Sequence, residues 1–85
     1  MLVIERLAFL RKEDPAHEYR ELLLYQVEGH FKIWEVIGFC SELAMRRAEI
    51  ALGSEAQMRV RLSAEAQRLC GEGFARCDPR LAEDD

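Results

Sequence analysis

Between Pro15 and Leu52 the chain has no further proline and only two glycines, Gly29 and Gly38. A chain of this kind must either break at those glycines or run through them. Glu21, Glu28, Glu35, Glu42 and Glu49 recur at seven-residue intervals across the segment. At about 100° per residue, His17, Lys32 and Arg46 join them on one side of a helical projection. The other side collects Tyr19, Leu23, Val27, Trp34, Ile37, Ala44, Ala48 and Leu52. This phase passes through both glycines, and neither has the Asn, Asp or Pro neighbour that usually joins a turn. The pattern predicts one continuous or gently bent helix over about 15–52, with Gly29 as the better hinge. Each interior glycine weakens that helix by about 1 kcal/mol relative to alanine.

The flanks read as shorter helices. Val3, Leu7 and Leu10, with Ile4 beside them, predict a helix over about 2–12. Asp14-Pro15 reads as the start of the next, Asp as N-cap and Pro in the first turn. Gly53 reads as a helix end. Ser54 and Gln57 match a capping box, which predicts a helix over about 55–70 with a seam of Met58, Leu62, Ala66 and Leu69. Gly71 and Gly73 would stop it. The expected fold is therefore all-α. A long central helix has a short helix on either side, in a helical-hairpin bundle over residues 1–77. Asp78-Pro79 opens a short acidic tail, 78–85, that should fray.

A helix of that length would span roughly 55 Å, beyond the roughly 30 Å diameter expected of a compact chain this size. Its middle would be the part least covered by its own chain. That implies a partner, most simply a second copy with the long helices crossing near Trp34. Val27, Phe31, Trp34, Ile37 and Phe39 are the expected contact residues. Leu24, Phe31 and Phe39 fall toward the charged side, which points to a wide apolar arc or a second binding surface.

Composition narrows function. A net charge of −4 and a pI near 5.2 disfavour nonspecific binding to nucleic acid or an anionic membrane. Cys40, Cys70 and Cys77 are odd in number and lack a Cys-x-x-Cys spacing, so they read as reduced thiols in a cytoplasmic protein. Glu5 and Arg6 interrupt the apolar start, which does not read as a signal peptide. No run approaches a membrane-spanning length.

His17 and Glu21 could share a helical face, but no Glu-x-x-His pair occurs, so neither metal nor cofactor is expected. Cys40 has apolar helical neighbours and reads as packing. No catalytic residues are expected. The sequence thus reads as a small non-enzymatic protein-interaction module, an adaptor, chaperone-like or regulatory binder, working as a homodimer or on another protein. The alternative is a DNA-binding or antitoxin-like regulator. It would use Arg59, Arg61 and Arg68 on the third helix, although Glu55 and Glu65 share that helix.

Overall fold

Glu28 and Gly29 make a turn, with both φ angles positive, at 49° and 83°. They join Val27 directly to His30, which pair across an antiparallel ladder. Two consecutive residues at positive φ are what a tight primed hairpin turn requires, and glycine supplies one of them without strain. A Cβ at Gly29 would meet nothing within 4 Å, so backbone conformation alone selects glycine there. The expected central helix is therefore a β-hairpin.

A computed structural model describes residues 2–12, 17–39 and 46–78. It contains β1 (Leu2–Lys12), β2 (His17–Val27), β3 (His30–Phe39), β4 (Arg46–Gly53), α1 (Glu55–Gly71) and β5 (Ala75–Cys77). The strands form one antiparallel sheet in the order β4-β3-β2-β1-β5. The all-α expectation is overturned. The segment about 15–52 becomes β2, a turn, β3 and β4, and the segment about 2–12 becomes β1. Among the described residues no long helix overhangs a globule, so the helical bundle and the argument that a rod must be covered by a second copy both fall. The Asp14-Pro15 helix start, Cys40, and all of the acidic tail except Asp78 lie outside the described residues.

The strand propensity is plain once the turn is fixed. Ile33, Trp34, Val36, Ile37 and Phe39 are β-branched or aromatic, types that pack well on a pleated surface. Leu22 to Tyr25 is an unbroken apolar run because both faces of β2 are buried there. Gly38 sits within β3 directly across from Tyr19, not at a helix hinge.

The third element forms where the capping box sets it. The Gln57 backbone N–H donates to Ser54 Oγ at 3.2 Å, and the Ser54 N–H donates to Gln57 Oε1 at 3.0 Å. Gly53 ends β4 rather than a helix. A Cβ there would lie 2.6 Å from Gln57 Oε1, so glycine gives the capping side chain its room. At the other end Gly73 has φ 96°. Its N–H donates to the Cys70 carbonyl at 3.1 Å, and the Phe74 N–H donates to the Leu69 carbonyl at 3.0 Å. This is a Schellman closure, and Phe74 and Leu69 supply its apolar contact.

α1 lays Met58, Leu62 and Leu69 on one face of the sheet. Phe9, Leu22, Leu24, Ile33 and Phe74 meet them in the main core. β-bulges in β1, between Val3 and Glu5, and in β4, opposite Ile33 and Trp34, interrupt the registers.

Candidate interaction surface

The pleat sends alternate residues of each strand away from α1. Leu23, Tyr25 and Val36 form a second, smaller apolar cluster on that side, and Val27 and Trp34 pack half-buried against it. The Trp34 and Tyr25 rings meet edge to face, with centroids 6.2 Å apart and planes at 81°. Such an arrangement fixes both rings beyond their simple burial. Ala8, Tyr19, Glu21, Leu23, Tyr25 and Val36 are buried on this side, so its accessible part is the half-buried Val27 and Trp34 and the exposed aliphatics beside them.

Its border is polar and partly charged. Lys32 Nζ lies 3.4 Å from Glu49 Oε1. Arg6 pairs with Glu21, whose residue is only 2% exposed. Near the hairpin end, Val3 and Leu52 are 49% and 55% exposed. They follow the ladder on either side of Tyr25 and Lys32. A rigid aromatic pair with exposed aliphatics and a charged rim has the composition of a protein-binding surface.

The five expected contact residues divide. Val27 and Trp34 lie on this face. Phe31 packs against the main core beneath α1. Ile37 pairs with Arg20 and Arg46 and takes the α1 side by alternation. Phe39 ends β3 opposite Glu18, and its side chain lies outside the described residues. Helical spacing missed Leu23's partners Tyr25 and Val36, and Val3; it did set Leu52 on one side with Leu23, Val27 and Trp34, but Leu52 was not among the expected contact residues. Strand alternation from Tyr19 to Val27 would have found the first of these.

The α1 side is a lattice of ion pairs. Arg59 holds Glu55 at 3.0 Å and Glu5 at 3.3 Å. Arg61 holds Glu65 at 2.9 Å. Arg68 holds Glu65 at 2.8 Å, Glu72 at 3.1 Å and Glu35 at 3.2 Å. All three helix arginines offered for phosphate contact thus carry carboxylate partners. These contacts hold Arg68 above its ordinary pKa, chiefly through Glu65. A shallow groove of about 260 Å³ runs between β1 and α1, lined by Leu7, Leu62, Ser63, Ala66 and the rim residues Glu5, Arg59 and Arg76. Among the described residues no group of three or more His, Cys, Asp and Glu gathers as a metal site. Cys70 is an exposed thiol outside any disulfide. No helix of the described residues is long and apolar enough to cross a membrane.

Two carboxylates tie this lattice to pH. The hydrogen bond from Arg11 holds Glu18 below the usual carboxylate range against the opposing effect of burial, and Arg20 adds to it. Burial is the largest influence on Glu65 and opposes its charge, but hydrogen bonds and charge from Arg61 and Arg68 outweigh it. Both folded values lie below the unfolded one, so the unfolded chain binds more protons as pH falls. Their contribution is full above the ordinary value of 4.5 and is lost as pH drops through the folded values. Urea midpoints measured from pH 6 down to pH 3 should therefore fall. Glu18→Gln should flatten that decline, and an unchanged slope would remove Glu18 from it.

No protein-family model matches the chain, and neither a curated protein nor a solved structure matches it.

Proposed function

We propose that this chain is a small, non-enzymatic, cytoplasmic protein-interaction module that binds through the sheet face away from α1. The observation that carries the reading is the accessible end of this face, where the half-buried Trp34 packs edge to face on Tyr25 and the exposed Val3 and Leu52 flank them. Large aromatic anchors contribute most of the binding free energy at such surfaces, and the charged rim supplies orientation. The paired state of Arg59, Arg61 and Arg68 gives no comparable support to a nucleic-acid role.

Site-specific photocross-linking in cells tests the reading. A benzophenone side chain at Leu52 should link to a discrete protein. The same group at Val60, 72% exposed on the outer side of α1, should not. Trp34→Ala should abolish the Leu52 adduct while the variant stays folded by circular dichroism. Equal labelling from both positions, or an adduct indifferent to Trp34, would overturn it.

A further inference from the structure

We infer that β4 is an edge at which two copies of this chain join, strand against strand, about a two-fold axis through Ala48. Among the described residues β4 is the outermost strand of the sheet, and β3 alone pairs with it. Arg46, Arg47, Ala48 and Glu49 are all exposed, on both faces of the strand. The run has no proline. A strand edge of this kind presents unpaired backbone N–H and C=O groups to any matching strand.

The side chains choose the match. By alternation Arg47 and Glu49 share the face that carries Trp34, since they pair across the ladder with Val36 and Trp34. Arg47 has no ion-pair partner among the described residues, and Glu49 has only Lys32. A two-fold axis perpendicular to the sheet keeps both helices on one side and admits only registers in which residues of equal parity face each other. Centring the axis on Arg47 sets Arg47 against Arg47, and centring it on Glu49 sets Glu49 against Glu49. Like charges directly opposite are destabilising. Centring it on Ala48 sets each Arg47 against the other copy's Glu49, twice. The ladder then runs from Arg46 to Ile50, where the β4 bulge interrupts it. That bulge limits indiscriminate edge pairing, and the charge pattern admits one register.

The consequence is a continuous sheet that joins the five described strands of each copy into ten. Its helix-free face carries both Trp34 side chains, with the two β3 strands about 14 Å apart across the paired β4 edges. The proposed binding face would so be doubled, while the pairing itself depends only on the edge.

Light scattering after size exclusion should give a mass approaching twice 9.9 kDa at high protein concentration, falling on dilution because the ladder is short. Arg47→Glu and Glu49→Arg should each weaken dimerisation roughly tenfold, because each creates two like-charge contacts. The double variant Arg47→Glu/Glu49→Arg should restore it. Ala48→Cys places two thiols on the axis, where facing Cα atoms about 5 Å apart permit a disulfide. Mild oxidation should therefore give a covalent dimer linked 48 to 48 by peptide mapping. A wild type that stays monomeric at every concentration, a double variant that fails to re-pair, or an unlinked Ala48→Cys would overturn the proposal. A Leu52 adduct with a protein other than a second copy of this chain reads the proposed binding face separately from this edge.

Discussion

Phe74→Ala should destabilise the domain by about 3–5 kcal/mol, the range for removing a well-packed phenyl ring from a core. Phe74 is 3% exposed in the cluster that seats α1 on the sheet. Its position follows from the helix end. The Schellman turn at Gly73 drops the chain back over Leu69, so the ring closes the helix and begins the return to β5. Two guanidiniums, of Arg11 and Arg20, lie 4.7 and 5.0 Å from its centroid. Arg11 also donates to the Glu72 carbonyl at 2.9 Å, tying β1 to the helix end.

Removing the ring therefore loosens three things together: the helix closure, the core contact and the stacking of two arginines. A domain of this size has a total stability of order 5–10 kcal/mol, so the variant should be partly unfolded at 37 °C. Phe74→Leu keeps the apolar volume but loses the ring face, and it should cost about 1–2 kcal/mol, including the cation–π part. Urea unfolding of the three proteins checks this. A loss below about 1 kcal/mol for Phe74→Ala would show that the core re-closes without the ring.

The contrast between α1 and the sheet explains how much of the fold was legible. α1 was written in local chemistry: Ser54 and Gln57 cap it, Met58, Leu62 and Leu69 form one seam, and Gly73 ends it. Each signal involves residues within a few positions of one another. The β2–β3 hairpin was written differently. Its turn is Glu28-Gly29 rather than the Asn-Gly that announces such turns, and glutamate at φ 49° gives no sequence cue. Its strands are buried on both faces around Leu22 to Tyr25, which conceals the two-residue alternation.

The seven-residue glutamate series had no structural cause. Glu21 is buried on the helix-free face, Glu28 is in the turn, Glu35 meets Arg20 and Arg68 on the α1 side, and Glu49 pairs with Lys32. An odd interval reverses face along a strand, so the series cannot mark one surface. The candidate site suffered in proportion. Trp34 and Val27 were found because they are large or apolar at the centre of the segment. Ile37 was assigned by helical phase, and Phe31 by its central position despite falling toward the charged side, to a surface that both leave for the α1 side.

Arg6→Met should destabilise the domain by about 2–4 kcal/mol, because it leaves a buried carboxylate without its cation. Glu21 is diagonal to Arg6 across the β1–β2 ladder, where Arg6 faces Leu23 and Ala8 faces Glu21. The Glu21 side chain is only 3% exposed, whereas that of Arg6 is 35% exposed, so water offsets part of the loss. Replacing both, as Arg6→Met/Glu21→Leu, should recover most of it, since a buried ion pair often does no better than apolar residues of similar size. The coupling from that cycle should be about 2–3 kcal/mol; additive single effects would mean that Glu21 does not depend on Arg6.

A pair with so little net stabilisation has a physical use in register. A one-residue slip of β2 would turn Glu21 into the core beneath α1 and turn Leu22 out. The buried charge makes that slip costly, while the apolar run from Leu22 to Leu24 would tolerate it. The double variant should therefore match the wild type in urea but show weaker amide-exchange protection along β1 and β2. Equal protection would mean that the flanking turn and Gly38 opposite Tyr19 set the register without the ion pair.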